Sequence, residues 1–199
     1  MDNSYKICLA IGSDASRNVI TEMLKGLAHD VRLVTRSGRE LIAAVEESPP
    51  ELLIASVQLS DMDGIEALIE CGRKDPLPSI IISTETDQDK VERALQDHVM
   101  AYLAEPVTAN DLRPAIFLVM QRFAQFQELR EENEELRHAL ETRKWVERAK
   151  GLLMQRFDLN EEEAYKRLQR TASDRRCKIG QISRTLVEAG DILDDLKLE

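Results

Sequence analysis

The sequence predicts an α/β domain with a parallel sheet covered on both faces, then one long helix, then a small basic helical end. Three observations carry this reading. Before residue 110, short apolar runs at 6–11, 31–35, 52–57, 80–83 and 101–103 are each followed by a stretch of helical pattern. Next, the chain from Pro114 to about Lys150 contains neither glycine nor proline after its first residue. Finally, the charge is divided: residues 142–187 hold twelve basic side chains against six acids, a balance of +6 that leaves −16 for the rest of a chain of net charge −10.

Each run is short and rich in Ile, Leu or Val, and near-continuous apolar strands alternating with helices imply a parallel sheet packed on both sides. A βα repeat of this length fits a doubly wound, flavodoxin-like domain over residues 1–122. Pro114 is expected in the first turn of the closing helix, where a missing N–H costs nothing.

From Pro114 to Lys150 a continuous helix would run roughly 50 Å at 1.5 Å per residue. A heptad places Val119, Phe126, Asn133 and Leu140 at a, and Leu129 and Leu136 at d. Arg122 and Arg143 also fall at d, so the seam is firm only in its middle, within a coiled-coil linker at 115–145. Asn133 at a favours a parallel, in-register pair. The expected dimer contacts are Phe126, Leu129, Asn133, Leu136 and Leu140. A single solvated helix is the other reading of so charge-rich a stretch.

Three further helical periods follow, at 143–157, 160–171 and 179–186, within a domain placed at 142–199. Asp158 or Asn160 is expected to cap the second, with Glu161, Glu162 and Glu163 in its first turn. The acidic tail from Glu188 reads as a weak helix or a fraying end.

Bulk properties narrow the function classes. No apolar run approaches the ~20 residues that span a bilayer, and the opening MDNSYK lacks the apolar core of a signal peptide, so a cytoplasmic protein without a membrane role is expected. Cys8, Cys71 and Cys177 lie far apart and read as reduced thiols. His29, His98 and His138 show no metal-ligand spacing, and neither a metal, a cofactor nor catalysis is expected.

The N-terminal part, about residues 5–122, resembles the receiver domain of two-component response regulators. Residues 59–64 (LSDMDG) match the loop after the phosphorylated strand, and Tyr102, Leu103 and Pro106 match the fifth-strand pattern. Ser83 matches the hydroxyl residue that ends the fourth strand. The working parts are absent. Gly12 and Ser13 stand where receivers hold an acidic pair for Mg²⁺, Ser56 stands for the phosphoaccepting aspartate, and Glu105 replaces the lysine. A hard cation needs several anionic oxygens, a serine hydroxyl lacks carboxylate nucleophilicity, and Glu105 repels a phosphoryl group. The resemblance therefore implies a pseudo-receiver. Asp14, Asp61 and Asp63 stay open as either a weak cation site or solvated caps.

Residues 142–187 resemble the ANTAR domain, a three-helix RNA-binding module of bacterial antitermination regulators. Ala149, Lys150, Gly151, Leu153 and Met154 match its first helix, and Glu163, Ala164 and Tyr165 its second. Ala172, Lys178, Ile179 and Ile182 follow the third-helix pattern, while Gly180 and Ser183 depart from it. The resemblance implies a dimer whose two ANTAR domains hold a pair of hairpins in nascent mRNA. Likeness to the amide- and nitrate-responsive antiterminators of the AmiR/NasT type further implies a ligand-sensing regulatory protein as partner. Two other readings stand beside it: a phosphorylation-switched regulator, and a protein-interaction adaptor.

Recognition of looped RNA needs cations for phosphate and a flat group for unstacked bases. Lys150, Arg167, Arg170, Arg175, Arg176 and Lys178 are expected to supply the first and Tyr165 the second, although Tyr165 also reads as core. Met154 reads as core. Gly151 in mid-helix costs about 1 kcal/mol relative to Ala, which suggests a close approach of a helix or of RNA backbone there.

Overall fold

The computed structural model describes residues 4–84 and 100–195, with side chains to residue 192. The helical pattern expected after the fourth strand, and His98 with it, lie outside the described residues. The chain divides into two compact units, residues 1–127 and 128–199.

The first unit carries β1 (Lys6–Ala10), β2 (Asp30–Thr35), β3 (Leu52–Ser56), β4 (Ser79–Ser83) and β5 (Ala101–Ala104). They pair in parallel in the order β2-β1-β3-β4-β5. This is the doubly wound order in which connections reverse direction beside β1 and β3. Side chains alternate across the sheet, so each strand feeds two cores. Ile7, Leu9, Ile54, Ile80 and Ile82 face α1 (Asp14–Gly26) and the opening turns of α4 (Ala109–Phe157). Cys8, Ala10, Leu53, Ala55 and Ile81 face α2 (Gly38–Glu47) and α3 (Gly64–Cys71). Burial pushes the Cys71 thiol up to about 12, which keeps it protonated and inert.

The closing helix starts earlier than the sequence suggested. Thr108 donates its backbone N–H (2.9 Å) and its hydroxyl (2.6 Å) to Asp111, which fixes the first turn ahead of Ala109. Pro114 then falls in the second turn, and Asn110, whose carbonyl loses its helical donor, is exposed to water. Val119 is also corrected. It is buried with Leu112 and Ile116 against the sheet, so it does not belong to an outward seam.

In the second unit, the end of α4 packs with α5 (Glu161–Asp174) and α6 (Ile179–Asp195). Val146, Ala149 and Leu153 meet Ala164, Leu168 and Val187 in its core. Asn160, not Asp158, caps α5: its side chain accepts from the Glu163 N–H (2.9 Å) while Glu163 accepts from the Asn160 N–H (3.0 Å). Asp158 has φ +52° and ends α4. The segment from Glu188 continues α6 as far as Asp195 rather than fraying at once.

Candidate functional sites

The receiver pocket assembles at the carboxyl ends of β1, β3 and β4, where a doubly wound sheet presents its ligand crevice. Ser13, Ser56, Ser83, Thr84 and Glu105 line a cleft of about 80 Å³. Gly12 lies behind them, its N–H donating to Ser56 Oγ at 3.0 Å. Ser56 in turn donates to the Gln58 carbonyl at 2.8 Å. Its hydroxyl proton is therefore committed to a backbone carbonyl. Gly12 is required by close approach, since a Cβ there would stand 2.3 Å from the Gln58 carbonyl oxygen. Thr84, which the sequence reading passed over, follows Ser83 directly.

The loop acids are occupied by the backbone. Asp61 accepts from the Ser37 hydroxyl (2.8 Å) and from the Gly38 (2.8 Å) and Arg39 (3.3 Å) N–H groups. These hydrogen bonds, with Ser37 foremost, hold its carboxyl below the usual aspartate value. Asp63 caps α3 by accepting from the Ile65 N–H at 2.8 Å. Asp14 pairs with Arg17. Asp61 and Asp63 thus serve helix starts, and Asp14 an ion pair.

The long helix presents a solvent-exposed stretch. Every residue from 124 to 144 is exposed in the single chain, Asn133 included. Phe126, Leu136 and Leu140 are open to solvent, and Leu129 is 66% exposed.

In the second unit the sequence-predicted cations separate. Lys150 is only 7% exposed and is clasped by Glu161 (2.7 Å) and Glu147 (2.9 Å). Hydrogen bonds to Glu161, then Glu147, raise its pKa above the ordinary lysine value. It joins α4 to the start of α5 and is not among the outward cations. Gly151 gives no close approach within the chain, since a Cβ there would meet nothing within 4 Å. The tight contacts fall instead at Gly180 and Gly190, where a Cβ would stand 3.0 Å from Thr142 and 3.1 Å from Leu152. Ser183, the other departure, is fully buried with its hydroxyl unpartnered.

Arg167, Arg170, Arg175, Arg176 and Lys178 are exposed, and no ion pair is recorded for them among the described residues. Arg175 caps α5, Arg176 adopts φ +52°, and Lys178 opens α6. Tyr165 is 42% exposed and is therefore not core. Met154, expected inside, is 38% exposed. At roughly 100° per residue, Tyr165 and Arg167 lie about 160° apart on α5, on opposite flanks of its buried stripe. The helix does not bring them to one face. Beside Arg167 stands a residue that pattern reading missed, Phe157, whose ring lies 4.8 Å beneath the guanidinium.

Residues 11–117 match the response regulator receiver domain and residues 134–187 the ANTAR domain. Transcriptional regulatory protein PdtaR of Mycobacterium tuberculosis (strain H37Rv) is 34% identical over 183 residues, spanning 92% of this chain and 89% of that protein. The chain belongs to the ANTAR-domain response regulators. Among solved structures, a CheY-like receiver domain protein of Methanospirillum hungatei JF-1 aligns with a TM-score of 0.56 at 20% identity, over 62% of this chain and 98% of that one. The receiver domain of a modulated diguanylate cyclase from Desulfovibrio desulfuricans G20 gives 0.56 at 22%, over 60% and 96%. At that identity these two speak for the receiver fold alone. No helix among the described residues is long and apolar enough to cross a membrane.

Proposed function

We propose that this response regulator is a dimeric RNA-binding transcription antiterminator whose receiver takes no phosphoryl group. The carrying observation is the pairing of an ANTAR unit bearing exposed cations at Arg167, Arg170, Arg175, Arg176 and Lys178 with a receiver cleft that has Ser56, its hydroxyl bound to a backbone carbonyl, at the phosphoacceptor position. Cations without acid partners neutralise RNA phosphates and release counterions. The exposed Phe126–Leu140 seam supports a second copy as partner, with Asn133 setting the register. Two linked ANTAR units would hold two hairpins of a nascent leader at once, a gain in avidity that neither unit has alone. Control then falls to a ligand-sensing partner protein rather than to phosphate.

A gel shift with an RNA of two tandem stem–loops, against DNA of the same sequence, tests the reading. Preference for the RNA is expected; equal or absent binding leaves a protein-interaction adaptor. Intact mass after acetyl phosphate and Mg²⁺ tests the receiver. An unmodified protein is expected, and an acyl-phosphate adduct would return the phosphorylation-switched alternative.

A further inference from the structure

Phe157 is the last residue of α4, one turn beyond the buried Leu153 and on the same stripe as Val146 and Ala149. An aromatic on a core-facing stripe is expected to be buried. Instead Phe157 is 54% exposed, and the group recorded against its ring is the guanidinium of Arg167. The helix stops there because Asp158 turns into the left-handed region, so α5 covers Leu153 and leaves the next turn open. Arg170 lies three residues on, on the same flank of α5.

A second aromatic–guanidinium cluster in this unit shows what distinguishes the first. Trp145 has Arg148 at 5.4 Å and Arg184 at 5.7 Å from its ring centre. Both arginines are neutralised, Arg148 by Asp191 (3.3 Å) and Arg184 by Glu188 (2.7 Å). That cluster clips α6 to α4. Arg167 and Arg170 have no recorded acid partner among the described residues, so their charge is available to a phosphate.

We infer that Phe157 and Arg167 form the stacking platform for an unpaired RNA base, with Arg170 taking the adjoining phosphate. This rests on the RNA-binding reading above and moves the base-reading role from Tyr165 to Phe157. Guanidinium and phenyl planes both stack on bases without regard to sequence. Tyr165 lies on the opposite flank of α5, so a base stacked there would have neither Arg167 nor Arg170 beside it.

The test uses the full-length protein and a pool of RNAs with two tandem stem–loops of randomised loop sequence, enriched once on the wild type. Failure to enrich any RNA would sink RNA binding itself, which is a different outcome from failure of the platform. With an enriched RNA, Phe157→Leu should lower affinity about tenfold to a hundredfold, and Phe157→Tyr should restore it. Replacing the loop bases by abasic riboses should weaken the wild type by a similar factor and leave Phe157→Leu nearly unmoved. Arg167→Met, which retains the stem but not the plane, should reproduce that insensitivity. Wild-type affinity in both variants, or loss confined to Tyr165→Leu, would overturn the proposal.

Discussion

The two ends of this chain use their polar residues in opposite ways. In the receiver several polar groups at and beside the cleft are turned inward: Ser56 onto Gln58, Gly12 onto Ser56, Asp61 and Asp63 onto helix starts. In the ANTAR unit Glu147, Glu161, Glu162 and Glu163 are engaged within the fold, and Arg167, Arg170, Arg175, Arg176 and Lys178 are among the cations left facing outward. Lys150 is the instructive exception, a cation drawn inside by Glu147 and Glu161. Those outward cations of the ANTAR unit carry charge without an ion pair among the described residues, whereas the Ser56 hydroxyl of the receiver is engaged within the fold. On the function proposed above, the receiver retains shape and the ANTAR unit retains unmet charge.

The largest effect is expected from the stretch that belongs to neither packed core. Changing Leu129 and Leu136 together to Lys removes two apolar seam positions that contribute nothing to the single chain's packing. Light scattering should show monomers, and affinity for a two-hairpin RNA should fall by roughly 10²–10⁴ as avidity is lost, with both units still folded by circular dichroism. A variant that stays dimeric would place the interface on the receiver and give that unit a working surface.

If shape is what the receiver retains, its tight glycines should be intolerant. At Gly64 a Cβ would stand 1.9 Å from the Ser56 carbonyl oxygen, a backbone atom that cannot move aside cheaply. Gly64→Ala should destabilise the receiver by about 3 kcal/mol, at the upper end of overpacking costs. Calorimetry should show its transition shifted and that of the ANTAR unit unmoved. An unshifted receiver transition would contradict the geometry.

Much of this contrast was legible in the sequence, and the failures have one origin. The five strands, the order they imply, the uninterrupted helix and the segregated charge follow from periodicity and composition, which are local. Pro114 was misplaced because Thr108 and Asp111 start the helix earlier. Val119 was given to the seam because its spacing fits both a heptad and a core stripe, and only the sheet beneath it decides. Lys150 read as an RNA contact because its two carboxylates come from different helices. Met154 read as interior, and Phe157 was passed over, because the sequence does not tell where α5 ceases to cover α4.

Lys150 and Arg170 sharpen the comparison within the ANTAR unit. Arg170→Ala should weaken all RNAs alike and reduce the salt dependence by about one counterion, with an unchanged melting temperature. Lys150→Met should do the reverse, lowering the melting temperature while leaving the salt slope intact. The clasp also sets a pH window. Glu161 is held below its ordinary 4.5, first by its hydrogen bond from Lys150, so its contribution is present above 4.5 and lost as pH falls through the depressed value. Lys150 is raised above its ordinary 10.5, so its contribution is present below 10.5 and lost as pH rises through the elevated value. The wild-type unit should lose stability at both extremes, and Lys150→Met should flatten both limbs. A salt slope that drops by one in Lys150→Met would mean the clasp opens to meet RNA.

The smallest effect, none at all, is expected where a simple repair seems closest. Ser56→Asp restores the carboxylate of a phosphoaccepting receiver but not its surroundings. The new carboxylate would point at the Gln58 carbonyl that the serine hydroxyl now satisfies, and Glu105 would still line the cleft. An acidic partner cannot be supplied at position 12 either, because any side chain there collides with the Gln58 carbonyl oxygen 2.3 Å from its Cβ. With no acidic pair at Gly12 and Ser13 the cation lacks the ligands a receiver gives it, and without the cation the phosphoryl oxygens face Glu105 unscreened. Intact mass after acetyl phosphate and Mg²⁺ should therefore be the same for Ser56→Asp as for the wild type, with a somewhat lower receiver melting temperature. An adduct in this variant would mean that the loss of a single residue silenced the receiver, and the contrast between inward and unmet charge would no longer separate the two units.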